Sequence, residues 1–487
     1  MRLRKSNINI SVVLRMIGWL LMIEAAFMLI PLTVGAIYDE AQAMRAFLYS
    51  ILITGGAGAL MTFGIRPRST DMHKREGLLL TAIVWVFFSI FGMLPFLLDG
   101  TLDDVADAFF EAMSGFTTTG ATVIKDVEEA SHPVLIWRAL MQWIGGMGII
   151  LFTLAVIPML NHQGGIQLFN AEVTGITHDK LRPRISQTAK GLWIVYIVLT
   201  IVLGVLLWVG PMNLFDAVCH TLSTVSTGGF STKNMSVEWW DSEYIEIVLT
   251  VFMFIGGINL ALIFKAATGN FSALFKNGTF LWYAGIYLGF SVLSGLSMWN
   301  DGILEKWYDM LFMCTSAMTS TGYTSLNIEG CGQFVIMVML LLMFCGSCAG
   351  STSGGAKVDR IEFLMKNSKN EFYRVLHPNS IITVRVNSKV VSGGVVMKVI
   401  AFLCIYLMLV VLGAIVLTWM DVPVFDAFFS SMSMVGNDGL GVGVTGINGS
   451  YANLPDLGKW VMSFLMLVGR LELFTVLILF TKDFWSK

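Results

Sequence analysis

An aspartate, a serine seven residues later and a glycine six residues beyond the serine occur together four times in this sequence. The sets are Asp107, Ser114 and Gly120; Asp216, Ser223 and Gly229; Asp309, Ser316 and Gly322; and Asp426, Ser433 and Gly439. Residues between the aspartate and the serine are mostly apolar, and the three residues just before each glycine are small or polar. An aspartate at the start of a short helix caps free backbone N–H groups and complements the positive end of the helix dipole. The negative end of that helix then points toward the glycine. Past it, the runs Thr117-Thr118-Thr119-Gly120, Ser226-Thr227-Gly228-Gly229, Thr319-Ser320-Thr321-Gly322 and Val435-Gly436-Asn437-Asp438-Gly439 are predicted to be non-helical. Four such loops around one axis, with carbonyls facing in, make a dehydrating site for a monovalent cation. The glycines allow backbone angles that other residues resist. The plain alternative is four unrelated Ser/Thr/Gly turns, and the fourfold recurrence in one register argues against it.

These loops need a frame, and composition supplies it. The chain has 487 residues, of which 55% are hydrophobic and only 13% charged, so it reads as an all-α integral membrane protein. Unpaired backbone is tolerated at membrane depth only where protein buries it or it lines a water-filled cavity. Residues 1–66 are predicted to hold two accessory N-terminal transmembrane helices, at 12–33 and 46–63. Each motif then lies in a helix–pore loop–helix repeat. Repeat 1 spans 77–160 (helix 77–98, dipping segment 105–117, helix 134–160) and repeat 2 spans 190–266. Repeat 3 spans 280–364, with an unusually long second segment at 332–364, and repeat 4 spans 396–481.

Connectors 66–76, 161–190 and 366–389 are rich in Arg, Lys and His, as cytoplasmic loops are. Counting spans puts both termini in the cytoplasm and all four dipping loops open to the outside, where Asp103, Asp104, Asp126, Glu128 and Glu129 lie. The basic N-terminus reads as leading into a retained helix, not a cleaved signal. A net charge of −2 points to no nucleic-acid partner. Cys345 and Cys348 are spaced C-x-x-C without a nearby His and read as small packing residues.

Two features break the fourfold pattern. The run Met343 to Arg360 places Gly346, Gly350, Ser351, Thr352, Ser353, Gly354 and Gly355 where a continuous span belongs. It cannot stay regularly helical, and it is predicted to be a movable plug beneath the filter, with Lys357 and Arg360 anchoring its end at the membrane surface. A simple kink is the alternative. The second feature is Arg470, near mid-membrane, where an arginine is costly and usually functional. Facing a cation pore it sets an electrostatic barrier; a structural ion pair is the alternative. Glu472, two residues on, points elsewhere. Arg138 and Lys265 lie nearer helix ends and are expected to snorkel. Glycines recur in the outgoing helices at Gly145-Gly146, Gly256-Gly257, Gly346 and Gly469, leaving room for close packing and for a pore.

The four loops, the stretch WRALMQWIGGMGII (137–150), the run CAGSTSGGAKVDR (348–360) and VGRLELFT (468–475) together resemble the TrkH/KtrB group of the Trk/Ktr/HKT potassium uptake superfamily, end to end. The two extra N-terminal helices are similar to the TrkH branch. The resemblance implies a single-chain pseudo-tetrameric pore for the potassium ion in a bacterial cytoplasmic (inner) membrane. It also implies a homodimer within membrane lipid, and a cytosolic nucleotide-binding regulatory ring of the TrkA-like kind. By position, the implied ion contacts are the carbonyls of Thr118 and Thr119, Thr227 and Gly228, Ser320 and Thr321, and Asn437 and Asp438. The filter glycines would be Gly120, Gly229, Gly322 and Gly439. Residues 345–356 match the family's intramembrane gating loop, and Arg470 its barrier arginine. One departure is Asp438, where similar members often carry proline.

Other functions fit less well. An organic-solute symporter uses inverted repeats, whereas these units all run in one orientation. A sodium-coupled or sodium-conducting transporter of the same fold stays open because of Asp438. An enzyme would need clustered His or carboxylates, yet His162, His178 and His377 lie in connectors without metal spacing. No helix carries Arg or Lys at every third position, as a voltage sensor does.

Overall fold

The computed structural model describes residues 8–66, 72–148, 185–300, 307–380, 383–387, 389–391, 393–446 and 449–486. Helix 134–160 beyond residue 148, and the connector with His162 and His178, lie outside the described residues. Among the described residues, six helices are long and apolar enough to cross a membrane, or eight if each sharply bent pair counts as one span. Among the described residues the fold is all-α apart from a hairpin pairing Arg385–Val386 with Lys389–Val390.

The N-terminal unit is Ile10–Phe27 with Leu29–Tyr38, followed by Ala41–Ala59. Ile10–Phe27 and Ala41–Ala59 cross at Gly18 and Gly58: a Cβ on either glycine would come within 2.8 Å of the other's carbonyl oxygen. In lipid, helices associate through close approach and not through a hydrophobic drive, so small residues mark the contact. This unit packs on the incoming helix of the first repeat.

Each repeat has an entry helix, a short pore helix and an exit helix. The entry helices are Lys74–Gly92 (continued by Leu94–Asp99), Ile185–Val209, Gly278–Asn300 and Gly393–Trp419. The last three turn apolar faces outward and end near exposed Trp208, Trp299 and Trp419. Aromatic residues of this kind sit where headgroups meet hydrocarbon.

The pore helices are Val105–Phe116, Leu214–Val225, Asp309–Met318 and Val424–Gly436. The recurring aspartates lie in their first turns, complementing the dipole, but they are not the caps. Asp104 caps the first helix through the Ala106 amide, and Asn213 caps the second through the Asp216 amide. The recurring aspartates instead tie the pore helices to distant backbone and side chains. Asp216 accepts from Thr232 Oγ1 at 2.7 Å, Asp426 accepts from the Val444 amide at 3.1 Å, and Asp107 pairs with Lys459 of the fourth exit helix.

The exit helices begin as His132–Gly146, Glu243–Gly256, Gln333–Cys345 and Asp456–Arg470. The expected break in the third is present: helix stops at Cys345 and resumes at Val358–Leu376. The second and fourth, expected to be continuous, break as well. The second turns by 106° before Leu260–Ala267, and the fourth by 111° before Phe474–Phe480. Asn259 restarts the second by accepting from the Ala261 and Leu262 amides, and Glu472 and Leu473 turn the fourth with φ of +54° and +51°.

Each exit helix packs against the pore helix of the following repeat: first on second, second on third, third on fourth, and fourth back on first. The four repeats therefore form a closed ring.

Candidate functional site

The four loops end the pore helices in one way. Thr118, Thr227, Ser320 and Asn437 adopt left-handed φ of +54°, +52°, +50° and +53°. The next amide in each loop donates back to the motif serine's carbonyl: Thr119 to Ser114 at 2.9 Å, Gly228 to Ser223 at 2.7 Å, Thr321 to Ser316 at 2.9 Å and Asp438 to Ser433 at 2.9 Å. This is the Schellman closure, normally built on glycine or asparagine. Threonine is rare in this region, so the surroundings must hold the backbone there.

The filter glycines follow with φ of +87° (Gly120), +80° (Gly229), +81° (Gly322) and +85° (Gly439). What surrounds them fixes the geometry of the ring. A Cβ on Gly120 would lie 2.2 Å from the Gly228 carbonyl oxygen, and one on Gly229 would lie 1.8 Å from that of Thr321. On Gly322 it would meet the Asp438 oxygen at 2.0 Å, and on Gly439 the Thr119 oxygen at 2.3 Å. Each glycine thus seats the carbonyl that precedes the next loop's glycine, around all four loops and back. Thr118, Thr119, Thr227, Ser320, Thr321, Asn437 and Asp438 are all buried.

The residue after each filter glycine turns its carbonyl to the surrounding shell. Ser114 Oγ donates to Ala121 at 2.6 Å, Ser316 Oγ to Tyr323 at 2.7 Å, Tyr451 Oη to Leu440 at 3.0 Å and Tyr323 Oη to Phe230 at 3.4 Å. Above the ring lies an open cup lined by all four filter glycines together with Thr122, Lys125, Lys233 and Tyr451.

Arg138 corrects the expectation of snorkelling. It is buried against the pore helix, pairing through Nε with Glu111 Oε1 at 2.7 Å, with both side chains essentially out of solvent. It also donates to Ser231 O and Thr122 Oγ1, each at 3.1 Å, and stacks 4.1 Å from the centre of Phe230. Glu111 in turn accepts from the Val123 amide at 2.9 Å. The pair fastens the strands leaving the first two loops. A lone Glu inside an apolar pore helix, opposite an Arg in the exit helix, was the available signal for it.

The exit-helix glycines lie directly under the ring. A Cβ on Gly145 would sit 1.9 Å from Phe116 O, and one on Gly469 would sit 2.1 Å from Val435 O, both carbonyls at pore-helix C-termini. A Cβ on Gly256 or Gly257 would come 3.0 Å from the methyl of Thr227 or Thr319.

The loop between Cys345 and Val358 crosses this same region. The Gly354 amide donates to Ser320 Oγ at 2.5 Å, and the Gly355 amide to Gly436 O at 2.9 Å. Thr352 Oγ1 reaches Val225 O at 3.4 Å and Gly256 O at 3.3 Å. Gly346, Gly350 and Gly355 adopt positive φ. Ser351 lies 3.0 Å from Ser347 through their hydroxyls, and Ser353 also contacts Ser347. Arg470 donates to Thr352 O at 2.7 Å and to Gly145 O at 2.8 Å. The loop and Arg470 thus touch backbone or side chains from all four repeats below the filter.

Lys357 departs from its expected place at the membrane surface. It is buried, with φ of +75°, and its Nζ turns back onto Ser353 O. Arg360 pairs with Glu472 at 2.6 Å and stacks 3.9 Å from the centre of Phe402. Glu472 is therefore engaged with Arg360.

A ring of backbone oxygens above a polar loop and an arginine is equipped to strip, hold and restrain a cation. Comparison with known proteins bears on which cation. The family model TrkH, described as a cation transport protein, matches residues 40–270 and 304–487. The Trk system potassium uptake protein TrkH of Salmonella typhimurium is 34% identical over 480 residues, covering 97% of this chain and 99% of that one. The protein of the same name from Escherichia coli K12 is 33% identical with the same coverage. Among solved structures, the crystal structure of the potassium transporter TrkH from Vibrio parahaemolyticus superimposes with a TM-score of 0.88 at 32% identity, covering 98% of this chain and all of that one.

Proposed function

Since this chain belongs to the TrkH family of cation transport proteins, we propose that it takes up potassium through the ring formed by its four loops. The observation that carries this reading is the cyclic seating of Gly120, Gly229, Gly322 and Gly439 on the carbonyls of Gly228, Thr321, Asp438 and Thr119. Backbone oxygens from Thr118 to Gly120, Thr227 to Gly229, Ser320 to Gly322 and Asn437 to Gly439 replace the ion's water. Inward movement of one positive charge gains about 2.3 kcal/mol per 100 mV of membrane potential.

Gly346, Gly350, Ser351, Thr352, Ser353, Gly354 and Gly355 form the gate with Arg470. Their hydrogen bonds to Ser320, Gly436, Val225 and Gly145 support a closed position. Opening requires the loop to give up those bonds, and a cytosolic nucleotide-binding ring is the regulator in this reading. Exposed Phe372, Val375 and Leu376, at the end of the helix continuing from the gate, offer apolar surface for contact outside the bundle. The protein works as a homodimer in a bacterial inner membrane with both termini cytoplasmic. The basic connectors support that orientation.

A sodium-conducting variant of this function is the second reading. Its supporting observation is the wholly buried carboxylate of Asp438 in the fourth loop.

The test is growth of a potassium-uptake-deficient bacterium on low potassium, with wild type compared to Gly322→Asp. Rescue by wild type alone is the expected result. Equal rescue by the variant would remove the third loop from the pathway, and uptake of sodium in place of potassium would favour the second reading.

A further inference from the structure

The ring is not fourfold in its side chains. The residue before the filter glycine is Thr119, Thr321 or Asp438 in three loops, but Gly228 in the second. A glycine there has no side chain to hold its carbonyl and the widest backbone freedom of any residue. The space is nevertheless filled. Gln142 of the first exit helix is wholly buried, and a Cβ on Gly228 would lie 2.4 Å from its Cδ.

Its carboxamide makes two bonds. Nε2 donates to Gly228 O at 2.6 Å, and Oε1 accepts from the Phe230 amide at 3.1 Å. Only one orientation of the amide satisfies both partners, so the assignment of its oxygen and nitrogen is fixed by chemistry. The two bonds bracket Gly229. The Gly228 oxygen is also the one seated on Gly120 of the first loop.

Aligning the exit helices on their glycines places Met253, Met343 and Met466 where the first has Gln142, each three residues before Gly256, Gly346 or Gly469. Each exit helix packs on the next repeat's pore helix. The single polar residue in this set therefore reaches the single loop with no side chain before its filter glycine, and methionines stand at the corresponding positions of the other three exit helices.

We propose that Gln142 is a specificity-determining positioning residue, fixing the Gly228 carbonyl at the radius the transported cation requires. Discrimination among monovalent cations depends on the number, placement and field strength of the surrounding oxygens. A clamped oxygen that also accepts an N–H cannot close around a smaller ion as a free one does. The clamp thus favours the larger potassium ion over sodium. This rests on the proposed potassium pathway.

The experiment measures potassium and sodium uptake in proteoliposomes for wild type, Gln142→Met, Gly228→Thr and the double variant, each checked for monodispersity. Gln142→Met is expected to raise KM for potassium and to lower potassium-over-sodium preference, each about tenfold, with maximal rate less affected. Gly228→Thr alone is expected to abolish uptake by collision with Gln142. The double variant copies the arrangement of loops one and three and is expected to restore uptake and preference. If Gln142→Met aggregates, Gln142→Leu replaces it, an uncharged side chain that loses both the donor to Gly228 and the acceptor for Phe230. Active protein with unchanged KM and preference in the Gln142 variant overturns the inference, as does a double variant no better than Gly228→Thr. A wild type that takes up no potassium overturns the pathway itself instead.

Discussion

The guanidinium of Arg470, on the fourth exit helix, donates to the carbonyl oxygen of Gly145 on the first, 2.8 Å away. A second donation to Thr352 O at 2.7 Å draws in the loop from the third repeat. One side chain therefore ties the first, third and fourth repeats together beneath the ring of loops and brings a full positive charge there.

Replacing Arg470 with alanine removes both the strut and the charge. Two unit charges about 4 Å apart interact by roughly 1 kcal/mol in water and about 4 kcal/mol at an effective dielectric of 20. Rubidium flux through purified protein without partners is expected to rise about tenfold. Flux at or below the wild-type level would contradict a barrier at this position.

Ser320 joins the third loop to the segment proposed as the gate, because the Gly354 amide has its hydroxyl as acceptor. Ser320→Ala leaves that buried amide without this partner, a cost on the order of 1–3 kcal/mol. The loop is expected to leave its closed position more often, raising basal rubidium flux several-fold while KM for potassium stays near wild type. A matching change in KM with no change in basal flux would place Ser320 in the filter alone.

Any side chain at Gly229 meets the Thr321 oxygen, since a Cβ there would be 1.8 Å away. The backbone fixes the Cβ position and the oxygen is itself backbone, so no rotamer change relieves the contact. Gly229→Ala is expected to abolish potassium uptake in protein that still inserts and stays monodisperse. Uptake above one tenth of wild type would mean the loops can separate without losing function.

Arg138 and Glu111 form a buried ion pair, and removing one partner strands the other. Breaking such pairs costs about 3–5 kcal/mol, whereas replacing both groups is far milder. Arg138→Met is expected to lower the thermal midpoint of detergent-solubilised protein by several degrees. Adding Glu111→Leu should recover at least half of that loss. Equal destabilisation by the double variant would show that the Thr122 and Ser231 contacts of Arg138, not the pair, hold the strands.

Much of this architecture is legible in the sequence because it is repeated. Asp107, Ser114 and Gly120 mean little alone, but three further copies in register fix the pore helices, the loops and the glycine positions. The break after Cys345 was also readable, since Gly346 to Gly355 cannot support a helix. Local sequence does not carry the pairing of distant residues. Arg138 looks like a snorkelling residue until Glu111, from the preceding pore helix, is placed beside it. Lys357 looks like a surface anchor because basic residues after apolar runs usually are, and nothing local predicts its φ of +75° or its turn onto Ser353. The breaks in the second and fourth exit helices were hidden for another reason. Their apolar content is that of an unbroken span, and the capping role of Asn259 appears only once the chain has turned.

The seating of Gly439 on Thr119 has a consequence for how the protein is made. Three of the four contacts in the ring join consecutive repeats, and the fourth joins the last loop to the first. A chain emerging from the ribosome completes that closing contact only after residue 439 has been synthesised. Until then it holds an open arc of loops. A product lacking the fourth repeat consequently lacks both contacts of the fourth loop and presents three loops where the complete chain presents four.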